Sequence, residues 1–422
     1  MSLTERQISD REIKALQIAA KTQLKRKGNV WFVPSQAGHG EYEVRPDPQA
    51  PRCTCPDYEF RNARCKHIVA VEYVLMREEK PDGSTVVTET VTVTSRKTYP
   101  QDWKAYNAAQ THEKSELQAL LYELCRNVPE PEKRKGRGRP QLPLSDMIFS
   151  STYKIYSTVS GRRFATDLRE AKQRGYLTRL PHYNTVFRYL ESEALTPYLK
   201  ELITISARPL QSIESDFAVD SSGFSTGQFM RWLDVKYGEK EDRRQWLKLH
   251  LMCGVKTNIV TSVQVTDGYA HDYTFFKPLI DSTAKSGFQM KEVSADKGYL
   301  GATNMLATLQ HGAIPYIPFK TNSVADSRGS YGPKSEVWTR MYHFYSLHRA
   351  EFLQHYHKRS NIETTFHMIK AKFGQRLRSK TLTAQINEAL CKVLCHNLCC
   401  VIQSVHELGI ETNFEAEMRF AS

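Results

Sequence analysis

Four side chains that bind soft metals stand in two tight pairs, Cys53-Thr54-Cys55 and Cys65-Lys66-His67, with nine residues between the pairs. Tetrahedral zinc takes three or four thiolates or imidazoles around one point, and two hairpin-like pairs can supply them. The chain around them must therefore fold back so that the pairs meet. Short β-like segments (30–33 and 42–44) precede the second pair and an apolar helix (68–76) follows it. Residues 1–80 are thus expected to form one small module holding one structural Zn2+ on Cys53, Cys55, Cys65 and His67. Chance clustering of small buried thiols is the competing account, and the agreement of both pairs with the downstream helix weighs against it.

This pattern of C-x-C, short spacer, C-x-H and helix resembles the SWIM zinc-binding module over about residues 28–80. Modules of that kind bind DNA or protein. Here Arg52, Arg61, Arg64 and Lys66 interleave with the ligands and favour DNA. The whole chain leans the same way, with 59 Lys and Arg against 46 Asp and Glu over 422 residues, a net charge of +13. Nine cysteines in a chain this long suit metal ligation and plain burial better than a disulfide framework. Four of them, Cys391, Cys395, Cys399 and Cys400, sit in an apolar helical stretch and read as core. No apolar run approaches the roughly 18 residues that span a bilayer, and the opening MSLTERQISDREIK lacks the basic-then-apolar pattern of a secretory leader. A cytoplasmic, nucleoid-associated protein with no membrane partner is expected.

Composition shifts divide the rest. A Thr/Val-rich stretch (85–94) leads into a helical connector within 81–127, where Trp103, Tyr106, Leu117, Leu120, Leu121 and Leu124 recur at near-helical spacing. Residues 128–144 are rich in Pro, Gly and charge, so a domain boundary is expected there. Lys133, Arg134, Lys135, Arg137 and Arg139 crowd this linker, and Arg137-Gly138-Arg139-Pro140 matches the core of an AT-hook, whose arginines reach into a narrow minor groove. An ordinary solvated basic linker is the alternative. Residues 145–205 show three helical patterns, the second after Ser160 and the third after Pro181. They resemble a helix-turn-helix bundle with Asn184 and Arg188 as candidates for base contacts, or else a structural bundle joining domains. Over 206–422 the pattern turns to strands (217–220, 231–237, 249–256, 259–265, 291–295 and 314–317) and helices (273–284, 303–310, 349–373 and 382–408). That order predicts an α/β fold, a mixed sheet with flanking helices.

Three acidic residues suit metal-dependent phosphoryl transfer. Asp220 ends an apolar strand before the turn-prone Ser221-Ser222-Gly223, Asp296 follows the strand at 291–295, and Glu363 lies on the long late helix. Hard divalent cations demand several oxygen ligands, and two such cations can serve one in-line displacement. Spacing alone does not choose among Asp216, Asp220, Asp234, Asp267 and Asp272 for the first acid. The residues around Glu363 do more. Tyr356, two residues, Arg359, three residues, Glu363, six residues, Lys370 resembles the Tyr-Arg-Glu-Lys signature of DDE insertion-sequence transposases. On one helix these positions step by three, four and seven and share a face.

The segments Val219-Asp220-Ser221-Ser222 and Ala295-Asp296-Lys297-Gly298-Tyr299 also look like the motifs around that family's first two acids. The resemblance implies a ribonuclease H-like domain in which Asp220, Asp296 and Glu363 hold two Mg2+ (or Mn2+), while Tyr356, Arg359 and Lys370 grip DNA phosphates. It implies cleavage at transposon ends, joining of the 3′-hydroxyl to target DNA, double-stranded DNA as partner, and a homodimer or higher assembly at synapsis. Asp296 and Glu363 are 67 positions apart, short for the large β-insertion of some relatives. A domesticated DNA-binding regulator without catalysis and a two-metal nuclease are the alternatives.

Overall fold

The computed structural model describes residues 10–21, 24–36, 40–47, 49–61, 63–78, 102–126, 128–131, 141–226, 246–325, 332–412 and 414. The AT-hook-like residues Lys133, Arg134, Lys135, Arg137 and Arg139, the expected strand at 231–237 and the stretch 85–94 lie outside the described residues. The chain divides into two compact units, Met1–Pro100 and Gln101–Ser422.

In the first unit, α1 (Asp10–Lys21) is followed by the strands β1 (Lys25–Lys27), β2 (Val30–Pro34), β3 (Glu41–Arg45) and β4 (Arg52–Cys53), all antiparallel in that order. Gly28, at φ +63°, takes the left-handed turn between β1 and β2. Alternation along β2 buries Trp31 and Val33. These meet Val44, Ala15 and Ile18 of α1, and Ile68 and Val71 of α3 (Lys66–Glu78), which follows the short α2 (Pro56–Arg61). Neither α1 nor α2 is foreshadowed by the sequence pattern read above. α2 is a six-residue turn that depends on its neighbours.

The second unit opens with α4 (Trp103–Arg126). Four helices follow where three are expected: α5 (Leu144–Ser157), α6 (Gly161–Gln173), α7 (Tyr183–Leu190) and α8 (Leu195–Ala207). The sheet is built from β5 (Asp216–Ser225), β6 (Trp246–Gly254), β7 (Val260–Asp267), β8 (Glu292–Ala295) and β9 (Ile314–Tyr316), in the spatial order β7-β6-β5-β8-β9. The first three run antiparallel, and β8 and β9 run parallel to β5. α9 (Tyr273–Lys285), α10 (Ala302–Gln310), α11 (Pro333–Leu347), α12 (Arg349–Tyr356), α13 (Ser360–Phe373) and α14 (Leu382–Leu408) complete it. This is the mixed α/β sheet with flanking helices expected of a ribonuclease H-like domain.

Successive residues of β5 feed opposite cores. Phe217 and Val219 join Phe276, Leu279 and Tyr299 on one side, while Ala218 and Phe224 join Ile362, Phe366 and α14 on the other. α14 is apolar and long enough to cross a membrane by length and composition, against the expectation that no run approaches that length. Its most apolar stretch is 78% buried inside the protein, so it serves as the central core helix. Cys391, Cys395 and Cys400 are core thiols on it, as expected, and burial pushes all three up in pKa.

Three further expectations are corrected. The boundary at 128–144 does not separate compact units, because Leu117, Leu121 and Leu124 of α4 share one core with α5–α8, α14 and the sheet. β5 does not stop at Asp220. The turn-prone Ser221-Ser222-Gly223 stays extended because each residue pairs across to β6, out to Ser225 opposite Trp246. The expected single helix over 349–373 is broken by a 3-10 turn at His357–Arg359, where Lys358 and Arg359 are drawn onto the sheet's carboxylates.

Candidate active site and metal centre

β5 and β8 run parallel with Val219 opposite Ala295, and the next residue in the chain is in each case an acid, Asp220 within β5 and Asp296 just past the end of β8. Asp220 shares its strand face with Ser222, the side on which α13 packs. There the Arg359 guanidinium donates to Asp220 Oδ2 at 2.7 Å and to Glu363 Oε1 at 2.6 Å. Asp296 caps the 3-10 turn Lys297–Tyr299, its carboxylate accepting from the Lys297 N–H at 2.6 Å. Burial raises the Asp220 pKa. The Ser221 N–H and Arg359 pull it back, and the charges of Asp296 and Glu363 add to the rise. Asp220 and Glu363 thus share one guanidinium, and Asp296 follows the end of the neighbouring strand. The signature residues reach it from both sides of the break rather than along one continuous helix.

The five aspartates that spacing leaves open now differ. Asp216 pairs with Lys358 at 2.7 Å, Asp267 accepts from the Tyr269 N–H, and Asp272 accepts from Ser221 Oγ and Lys248, each at 2.8 Å. Asp234 lies outside the described residues. Of the four described, only Asp220 meets Glu363 through Arg359. Among the described residues the only group of three or more such side chains close enough to share one ion is the cysteine and histidine cluster, and in this structure Arg359 stands between Asp220 and Glu363.

Tyr356 lies 5.8 Å beneath the Arg359 guanidinium, and Lys370 donates to Ser222 Oγ at 2.7 Å with its ammonium over the Phe224 ring. Burial lowers the Lys370 pKa. Two groups around the acids escape the sequence reading. Lys358 ties Asp216 to Glu292, 2.7 Å from each. On the opposite sheet face, His250 lies 3.4 Å from Asp272 and stacks on Phe275. Neither carries a local signal, since the partners lie far away in sequence. On α7, Asn184 and Arg188 are both exposed, while Val186 and Leu190 are buried.

In the first unit Cys53, Cys55, Cys65 and His67 are all buried, with ligand atoms within 4.8 Å of one another. Nδ1 of His67 lies 3.9 Å from the sulfurs of Cys53 and Cys65. Zinc bonds of about 2.0–2.3 Å place ligand atoms at such separations. Hydrogen bonds, first from Cys53 and then from His67, pull Cys65 down to about 3, whereas Cys53, which donates to Cys65, is pushed up. Burial pushes Cys55 up as well. Three thiols and an imidazole buried around one point are the donor chemistry of a zinc site. Of the neighbouring cations, Arg61 pairs with Asp57, Arg64 with Glu72, and Lys66 with Gln36.

Residues 211–398 match the family described as Transposase DDE domain, and residues 42–76 match the SWIM zinc finger. No solved structure matches the chain. It therefore carries a DDE transposase domain behind an N-terminal SWIM zinc finger, which supports a transposase family role.

Proposed function

We propose that the chain cuts DNA at transposon ends and joins the exposed 3′-hydroxyl to target DNA, with Asp220, Asp296 and Glu363 as its active-site acids. The observation that carries this is the meeting of Asp220 and Glu363 on the Arg359 guanidinium, beside Asp296 at the end of the neighbouring parallel strand. Two Mg2+ or Mn2+ ions held by these acids would supply activation of the attacking oxygen and neutralisation of the leaving one.

The chain's own residues do the positioning. Asp220 sits on a strand paired on both sides, and Asp296 is fixed by the Lys297 N–H. Glu363, whose side chain is 60% exposed, is the acid with room to adjust. Arg359 is placed to pass from the carboxylates to a DNA phosphate, with Tyr356 supporting it and Lys370 adding charge along the same strand face. In this reading the zinc module, the linker at 128–144 with Arg137 and Arg139, and the helices of 145–205 recognise end or target DNA, and two copies meet at synapsis.

Purified Glu363→Gln protein should bind end DNA and neither nick nor join it. Retained strand transfer by this variant refutes the assignment. A wild-type protein that nicks without joining is a nuclease instead.

A further inference from the structure

A cavity of about 380 Å³ lies between α5, the turn at 158–161, α7, the end of α13 and the first half of α14. None of Asp220, Asp296 and Glu363 lines it. Its walls include the apolar side chains of Phe187, Leu190 and Phe373, and a Cβ at Gly161 would stand 2.6 Å from the Phe187 ring. Its charges do not balance: Lys154, Arg378, Lys380 and Lys392 face it against Glu191 and Glu388.

Three of these are already paired, and Glu191 and Lys380 are exposed. Glu388 accepts from the backbone N–H groups of Arg378 and Ser379 at 2.8–3.0 Å and pairs with Lys392 at 3.5 Å. Lys392 donates to the carbonyls of Gly374 and Arg376, each at 2.8 Å, and the Arg378 guanidinium to that of Thr158.

Lys154 is the exception. It is 6% exposed and, among the described residues, its ammonium has no hydrogen-bond acceptor, only the rings of Phe164 and Phe187 at 5.8 and 6.0 Å. Burial, and then Arg378, lower its pKa, while Glu388 and Asp167 oppose them. Its Nζ is not among the fully enclosed unpaired atoms, so it presents an unpaired cation to the space of the cavity. An anion entering the cavity would give that cation a partner, and apolar walls would hold whatever carries the anion.

We propose that this cavity binds a small anion carried on an aromatic body, with Lys154 meeting the anionic head and Phe187, Leu190 and Phe373 the ring. Such a ligand is either a free molecule, a phosphomonoester or carboxylate, or one nucleotide presented by a DNA strand. The site makes no use of the three acids and stands whether or not they are catalytic.

The test titrates the full-length protein with 8-anilinonaphthalene-1-sulfonate, an aromatic sulfonate, by fluorescence and calorimetry. One saturable site per chain is expected. Lys154→Met should weaken it about tenfold or more, the scale of a lost charged hydrogen bond. The thermal midpoint of this variant should stay level or rise, since methionine keeps the volume without the buried charge. Ala384→Phe, which fills the cavity wall, should weaken binding equally. Displacement by deoxyadenosine monophosphate or 2-naphthoate supports the site and identifies the head group. A single-stranded oligonucleotide that displaces the probe at lower concentration places the source in DNA. Absence of a saturable site, unchanged affinity in both variants, or displacement by none of these competitors overturns the proposal. So does a Lys154→Met protein that melts several degrees lower with affinity unchanged, for the ammonium is then structural.

Discussion

The proposed acids Asp220, Asp296 and Glu363 are legible in the sequence because the spacing of Tyr356, Arg359, Glu363 and Lys370 singles out one helix face, and short motifs surround the two aspartates. What Arg359 does is not legible. Its partner Asp220 lies 139 residues away, and only the folded chain shows one guanidinium serving both acids. The zinc ligands are the opposite case, since all four fall within fifteen residues and need little more than a hairpin and a helix to meet. Metal analysis should find near one zinc per chain, and Cys53→Ser combined with Cys65→Ser should lower it to a small fraction of that. His396 provides a pH test. It is buried against the Asn258 carbonyl at 2.9 Å, and burial lowers its pKa to about 4 from the ordinary 6.5. The unfolded chain therefore takes up a proton between pH 6.5 and 4 that the folded chain refuses, so this contribution to stability is present above that window and lost as pH falls through it. His396→Gln should flatten the fall by roughly 1.4 kcal/mol per pH unit inside the window, read from denaturant midpoints at several pH values.

Among the elements, the patterns that hold best are those whose period matches their own burial. α14 runs over Leu382–Leu408, and α9 and α10 fall within a residue of the expected helices, because each shows one continuous apolar face to a core. The misses occur where a distant partner overrides local preference. Ser221-Ser222-Gly223 reads as a turn and becomes strand because β6 pairs it. The helix expected over 349–373 breaks because Lys358 reaches Asp216 and Glu292. These three groups are only partly exposed, with side chains at 31%, 28% and 16%. Removing the cation leaves Asp216 without its ion partner and Glu292 with His355 at 2.8 Å. Lys358→Met should therefore cost about 1–3 kcal/mol, with allowance for solvent screening. It should also lower DNA joining more than DNA binding, since the same turn sets Arg359; a denaturant midpoint equal to wild type would show that the ion pair does not hold the break.

For the whole molecule, the composition-based boundary at 128–144 and the observed unit Gln101–Ser422 make opposite predictions about truncation. A fragment beginning at residue 102 should fold cooperatively, and one beginning at 145 should not, because it lacks Leu117, Leu121 and Leu124 from the core that α14 shares with the sheet. Leu121→Ala in the full chain should cost about 2–5 kcal/mol in the same unfolding transition that reports the sheet. Chelating zinc should open only residues 1–100 to proteolysis and leave the larger unit resistant, since the ligands and their core all lie in the first unit. By itself the sequence determined the chemistry that depends on residue type and close spacing: a Cys3His zinc cluster, a helix face bearing an acid and its basic companions, and a mixed order of strands and helices. Only the tertiary structure decided which aspartate joins Glu363, where the long helix breaks, and that α4 to α8 belong to the unit that holds the five-stranded sheet. Each of these turns on contacts between residues far apart in the chain, whose energies no local pattern records.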